Sequence, residues 1–434
     1  MKKSLAAGAV ALALMAGVGG CSSPTGPEVA SGGAATVTLW QFNTDETTVA
    51  AWQKAVADFE TANPDIKVDM QTVPWSEQAQ KLTTGLATGA MPDVSMLGND
   101  VVAQYQAQGA LLPLDEYMKQ WSQDEGVADV SKDYWPGDEL YYKLDGHWYA
   151  SPVAEETRLL YYRTDLFKQA GLDPSNPPKT WAEVAAAAQK LKAVTDIPFA
   201  LPMSKDYQTV QDFMSVYLGY GAKMLDNGKC GFDTQEFRTA LTWYTDIYKN
   251  GLDSVDAVTK SGDDLAGMFK NGQAGMYMNN SSTLSQMKQQ GSEFADKVMA
   301  TEVPSGPAGQ FGFLGGWPLV LWKQSKNPDA AAKLIHYLTS PKGALKDLNT
   351  VGGMLPGRRS LAKGSPWNEG TFVTEVKQLE KAYPYQYPDA EIPQMGTIEV
   401  ETVQDAVTRV ATGEMTVDQS TKQLCSDLNA ALGK

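Results

Sequence analysis

TVTLWQFNTDETTVAAWQKAVADFETANPDIKVDMQTV, residues 36–73, decides the fold. Thr36 to Gln41 is a short β-branched and apolar run, which reads as a strand. Thr47 to Thr61 follows with Val49, Trp52, Val56 and Phe59 at helical spacing. Asn63-Pro64 stops that helix, and Ile66 to Val73 alternates as a second strand. Beyond it, Ser76 to Thr88 reads as a helix closed by Gly89. Asp93 to Leu97 is a third strand, and Asp100 to Gln108 a helix capped by Asn99 or Asp100 and ended by Gly109. An order of β-α-β-α-β implies a parallel sheet covered by helices, an α/β class.

The same alternation continues toward the C-terminus. Tyr141 to Tyr149 reads as a hairpin around Asp145-Gly146. Leu159 to Arg163 is a strand. Thr180 and Glu183 form a capping box before a helix. Thr234 to Lys249 and Asn327 to Leu338 are helices, the latter with Pro328 at its first position. Leu314 to Leu321 is a strand, and Thr416 to Leu432 a final amphipathic helix.

The N-terminus is of another kind. Lys2 and Lys3 precede an uncharged apolar run from Leu5 to Val18, the length of a signal-peptide core and short for a membrane span. It ends in Val18-Gly19-Gly20-Cys21, which resembles a bacterial lipobox. That resemblance implies a diacylglycerol on the Cys21 thiol and loss of residues 1–20. Residues 21–35 are rich in Ser, Gly, Pro and Ala and read as a tether. The expectation is an extracytoplasmic protein held at the cell membrane by one lipid.

A chain of 434 residues is long for one core and suggests two domains. Its net charge of −15, with no Lys/Arg cluster, makes nucleic acid and anionic lipid poor partners. Two histidines, His147 and His336, and three cysteines give no metal spacing. No G-x-S-x-G, G-x-G-x-x-G or Walker motif occurs. Neither a catalytic residue, a metal nor a cofactor is expected. Cys230 and Cys425 remain after Cys21, and sequence leaves open whether they bridge or stay separate thiols.

What the loops carry is aromatic residues beside polar ones: Trp40 with Asn43 and Asp45, Trp75, Tyr207, Trp317, and Tyr383, Tyr385 and Tyr387. In open α/β sheets the C-terminal strand ends face the binding crevice. A flat ring with hydrogen-bonding neighbours suits a sugar, which has C–H faces and a rim of hydroxyls.

Several stretches also resemble family-1 extracellular solute-binding proteins of bacterial ABC importers, the maltose-binding-protein-like group. They include FETANPDIKVD (Phe59–Asp69), LATGAMPDVSML (Leu86–Leu97), ALLPLDEYM (Ala110–Met118), SPVAEETRLLYYRTDLFKQAGL (Ser151–Leu172), PPKTWAEV (Pro177–Val184), MFKNGQAGMYM (Met268–Met278), GGWPLVLWKQSKNPDAAAKLIHYLTSP (Gly315–Pro341) and GGMLPGRRSL (Gly352–Leu361). The resemblance implies a two-lobed fold with a ligand cleft between lobes and a hinge crossed more than once. Lobe one would hold residues 36–151 and 313–356, and lobe two 152–312 and 357–434. It implies ligand contacts from Trp40, Asn43, Asp45, Trp75, Asn99, Asp100, Glu156, Asp206, Tyr207, Asn279, Asn280, Trp317 and Arg358. Asn279 and Asn280 stand where other members carry a Trp. The implied function is a monomeric, lipid-anchored subunit that captures a di- to tetrasaccharide, α-linked gluco- or galacto-type, and hands it to ABC permease subunits. The rival readings are a surface glycoside hydrolase and a binder of another small solute such as a polyol or peptide. Cys21→Ala is expected to release the protein into the medium or leave it unprocessed, with the fold unchanged. Full partitioning of that variant into detergent would refute the lipobox assignment.

Overall fold

A computed structural model describes residues 35–384, 392–394 and 398–433. Cys21, Tyr385 and Tyr387 lie outside the described residues. Ten strands form two main sheets. The larger runs in the order Leu355–Pro356, Ala150–Glu156, Gly315–Leu321, Val94–Met96, Ala35–Gln41, Ile66–Thr72. The smaller runs Val298–Glu302, Leu159–Arg163, Ala274–Asn279, Ile197–Ala200. Each sheet has its own apolar core, one built on Leu39, Trp52, Val94 and Trp322, the other on Tyr162, Phe199, Phe213 and Tyr244. Among the described residues no helix is long and apolar enough to cross a membrane.

The opening β-α-β-α-β segment pairs in parallel, as its order requires: Leu39 lies opposite Met70 on one side and Val94 on the other. The sheet is nevertheless mixed. Gly315–Leu321 and Leu355–Pro356 arrive from the far half of the chain and add antiparallel. Only Thr157 and Arg158 separate Ala150–Glu156 in the larger sheet from Leu159–Arg163 in the smaller. The segment after residue 357, expected in lobe two, first contributes Ala362, Trp367 and Leu379 to the larger sheet's core. Ile398, Val407 and Leu424 then pack in the other.

Local signals act as their chemistry dictates. Asp45 caps the helix Glu46–Ala62 through Thr48 N at 2.8 Å, and Thr180 and Glu183 form their capping box. Asp145 and Gly146 both take positive φ, 51° and 83°, as a two-residue type I′ hairpin requires. The hairpin is shorter than expected, pairing Lys143–Leu144 with His147–Trp148, because Asp138–Tyr142 is helical. The helix expected at Asp100 starts as a 3₁₀ turn at Asn99 with no side-chain cap, since the Asn99 amide is engaged elsewhere. His336 is packed: its ring stacks on Trp121 with centroids 5.3 Å apart and bonds Glu125 at 3.0 Å.

Two glycines let the crossing strands meet. A Cβ on Gly316 would lie 2.1 Å from Glu155 Oε2, and one on Gly315 2.7 Å from Glu156 Cγ. Glu155 and Asp138 are both buried beneath this contact, and burial raises the pKa of each well above the ordinary carboxylate range.

Cys230 and Cys425 are joined as a disulfide, their Cα atoms 5.5 Å apart across 195 residues of sequence. It ties the final helix, Val417–Ala431, to the hairpin before the helix Gln235–Lys249. Closing so long a loop removes much of the unfolded chain's freedom. Replacing both cysteines by Ser is expected to cost about 2–4 kcal/mol in urea unfolding. An unchanged midpoint would show that the bridge adds no stability.

Candidate functional site

The peptide link at Thr157–Arg158 gathers the polar groups of this region. Arg158 is buried, with Nη1 3.3 Å from Glu156 Oε2 and Nε 3.3 Å from Asp212 Oδ1 on the helix Tyr207–Gly219. Its ring-facing side lies 5.0 Å from the Phe313 centroid. Burial disfavours the guanidinium charge, yet Glu156 and Asp212 keep Arg158 protonated. Burial pushes the Asp212 carboxyl up to about 8, with Arg158 pulling the other way. Glu156 accepts from Asn280 Nδ2 as well.

Asn280 is fixed on every side. Its backbone N–H donates to Asn279 Oδ1 at 2.7 Å, and its carbonyl accepts from the Tyr161 hydroxyl at 2.8 Å. Its Oδ1 accepts from Ser282 N and Oγ at 3.1 and 2.6 Å. The strand Ala274–Asn279 therefore ends in a rigid polar turn that touches the larger sheet through Glu156. Ser281 adds a second contact, its Oγ donating to Gly353 O at 3.3 Å.

Above this turn is a cavity of about 190 Å3. Asn43, Asp45 and Thr48 line it from the loop and first turn after the opening strand; Val153, Ala154 and Trp317 line it from the crossing strands. Asn280, Ser282 and Gln286 close it from the turn and helix that follow the strand Ala274–Asn279, and Asn349 and Met354 from the segment before the strand Leu355–Pro356. The strand register slips between Trp317 and Pro318, and such a bulge re-aims a side chain. The Trp317 ring lies 6.2 Å from Trp75, which lies 5.2 Å from Phe42. These separations are within the range of favourable aromatic pairs. Asp45 is the sole charged side chain among the described lining residues, and its carboxylate is engaged as a helix cap.

Of the residues expected here, Asn43, Asp45, Asn280 and Trp317 line the cavity, with Trp75 against Trp317 and Glu156 against Asn280. Asn279 supports from behind: its Nδ2 donates to the Tyr277 hydroxyl at 2.6 Å. Asp206 caps the helix Tyr207–Gly219 through Gln208 N at 2.8 Å. Tyr207 is half-exposed, and its hydroxyl donates to Asp100 Oδ2 at 3.0 Å, joining the two halves away from the cavity lining. Burial raises the Asp100 carboxyl, and the Tyr207 bond partly offsets this.

Three of the residues expected as contacts lie off the cavity lining. Trp40 is buried in the core, with Lys81 Nζ 4.6 Å from its ring centroid, because strand alternation turns it under the helix Gln78–Thr88. Asn99 is buried and donates to Leu314 O at 3.0 Å, holding two strands together. Arg358 is buried against Glu125, with Nε 3.1 Å from Asp133 Oδ2. Thr48, Ser282, Gln286 and Asn349 were not anticipated. The polar run Asn279-Asn280-Ser281-Ser282 after an apolar strand was a usable signal for Ser282. Asn349 had none, since a helical Asn gives no clue to its partners Val153 O and Leu345 O.

The profile of the family described as "Bacterial extracellular solute-binding protein" matches residues 43–345. An ABC transporter solute-binding protein of Thermotoga lettingae TMO, solved bound with α-D-tagatose, superposes with a TM-score of 0.79 at 27% identity, covering 92% of this chain and 100% of that one. Maltose-bound MalE3 of T. maritima gives 0.78 at 26% identity, covering 91% and 99%. The sn-glycerol-3-phosphate-binding periplasmic protein UgpB of Salmonella typhimurium is 36% identical over 140 residues, 31% of each chain. Since Arg358 lies off the cavity, Arg358→Ala is expected to cost about 3–5 kcal/mol of stability by stranding the Glu125 charge. Chemical denaturation checks this, and a loss below about 1 kcal/mol would contradict the assignment.

Proposed function

This chain belongs to the bacterial extracellular solute-binding protein family, and from that premise we propose that it captures a neutral sugar, an oligosaccharide, and presents it to the permease of an ABC importer. The lipid expected on Cys21 would keep it beside that permease. The observation that carries the sugar reading is the make-up of the cavity: Trp317, with Trp75 behind it, next to the amides of Asn43, Asn280, Gln286 and Asn349 and the hydroxyls of Thr48 and Ser282. Rings cover C–H faces, and amides and hydroxyls exchange hydrogen bonds with sugar hydroxyls in either direction.

The same lining argues against a phosphorylated solute. A phosphate is held by Arg, Lys or a cluster of backbone N–H groups, and the described lining contains neither Arg nor Lys. The relationship to the glycerol-phosphate binder is therefore read as shared ancestry of the scaffold. Size adds a constraint. About 190 Å3 is below the ~300–1,000 Å3 of ordinary ligand pockets. In this arrangement it suits one sugar ring or the end of a chain, so a di- to tetrasaccharide requires the two halves to part. A hydrolase would need two carboxylates facing one bond, and among the described lining residues Asp45 is the one carboxylate.

The test is a thermal-shift panel with maltose, maltotriose, trehalose, melibiose, D-mannitol and sn-glycerol 3-phosphate. A true ligand is expected to stabilise by about 2.7 kcal/mol at a hundredfold excess over its dissociation constant. Trp317→Ala is expected to weaken the best sugar at least about tenfold, or 1.4 kcal/mol, by calorimetry. Stabilisation by sn-glycerol 3-phosphate alone would overturn the proposal.

A further inference from the structure

One buried acid next to the cavity has no part in lining it. Glu375, on the helix Gly370–Leu379, is fully buried. Its Oε1 accepts from Thr157 N at 3.5 Å, in the two-residue link between the sheets, and from Ser281 N at 3.3 Å, in the turn that presents Asn280 and Ser282 to the cavity. Its Oε2 has no hydrogen-bond partner. One carboxyl group thus touches the backbone of both pieces that would have to move if the halves parted. We propose that Glu375 is a positioning residue for the cavity, and that its protonation state sets how firmly the Asn280–Ser282 turn is held against the link at Thr157. The functional consequence rests on the sugar-capture reading; the conformational claim does not.

The groups that face Glu375 fix the sign. From the crossing strand, Glu156 raises its pKa by like charge, and Arg158 is engaged with Glu156 and Asp212. From the smaller sheet comes the Tyr161 hydroxyl, itself made harder to ionise by burial and by Glu375. The turn and the link offer only Ser281, through its side chain and then its amide, and the Thr157 amide, and these favour the ionised form. Burial outweighs these bonds and pushes the carboxyl up to about 7. A carboxyl whose pKa is raised in the packed arrangement favours that arrangement while protonated. The contribution is complete below the ordinary carboxylate value and is lost as pH rises through about 7. Ionisation leaves an unpaired buried charge, whose hydration favours loosening of the link. With an ordinary pKa in the loosened form, the packed form should lose about tenfold in population ratio between about pH 6 and about pH 8.

The experiment is amide hydrogen exchange on the ligand-free full chain, corrected for intrinsic pH dependence, in wild type and Glu375→Gln. Gln keeps an acceptor and cannot ionise. Protection at Thr157 and Ser281 is expected to fall about tenfold across that range in wild type. It should stay constant, at the wild-type low-pH value, in the variant. The same pH profile in both proteins, or a flat profile in wild type, would overturn the proposal. If Glu375→Gln folds poorly, the wild type alone decides. The Ser281 amide resonance should then follow the Glu375 carboxyl titration with one midpoint, and independent midpoints would overturn it. Maltose titration at both pH values runs alongside. Failure of maltose to bind at any pH counts against the choice of sugar and leaves the exchange result to decide this inference.

Discussion

The base of the cavity depends on one buried guanidinium. Arg158 stands between Glu156 and Asp212, each at 3.3 Å, at the one place where the chain passes between sheets in two residues. Such a network adds little net stability, because desolvation offsets most of the attraction. Separating it is another matter. Pulling the helix Tyr207–Gly219 away from the link would part Arg158 from Asp212 and leave its guanidinium paired with Glu156. The network therefore acts chiefly on geometry: it fixes where Glu156 points, and Glu156 in turn fixes the Asn280 amide.

Gly315 and Gly316 are the complement of that network. The antiparallel strand they begin must lie against Glu155 and Glu156, and any Cβ there would fall within 2.1–2.8 Å of a carboxylate atom. Close approach sets the start of the strand, the bulge follows at Trp317/Pro318, and the bulge directs the indole toward the cavity. A sequence that places Gly-Gly immediately before Trp-Pro thus specifies both the contact with the acids and the position of the ring. Burial raises the carboxyls of Glu155 and Asp138 beneath this contact well above the ordinary carboxylate range, which disfavours negative charge there.

Much of the fold was legible in the sequence because its signals are local. The period of Val49, Trp52, Val56 and Phe59, the stop at Asn63-Pro64, and the Thr180–Glu183 box depend on residues a few positions apart. The site was half legible. Loops at strand ends announced Asn43, Asp45, Trp75 and Trp317. Trp40, only three residues before Asn43, lies off the lining because its destination depends on which face of the sheet it occupies. That face is set by the helix Gln78–Thr88, which lies over the strand and covers the ring with Lys81. Arg358 lies off the lining for a related reason. Its partners Glu125 and Asp133 lie more than 200 residues earlier in the chain, and no local pattern tells a ligand-seeking arginine from one with buried carboxylates waiting for it.

Glu375 carries this argument one step further. Nothing around it in TFVTEVKQL marks it as different from a surface glutamate on an amphipathic helix. Only the tertiary arrangement places it against Thr157 and Ser281. An acid buried without a cation must either keep its proton or be compensated by N–H donors. Here two amides are supplied and one oxygen is left over. Its neighbours provide a partial answer on each count, which is why the carboxyl is pushed up to about 7 and no further. A more complete set of donors would lock it ionised, and an apolar replacement would remove the tie to Ser281. The intermediate solution couples a proton to the backbone that presents Asn280 and Ser282, and makes the arrangement of the cavity sensitive to conditions outside it.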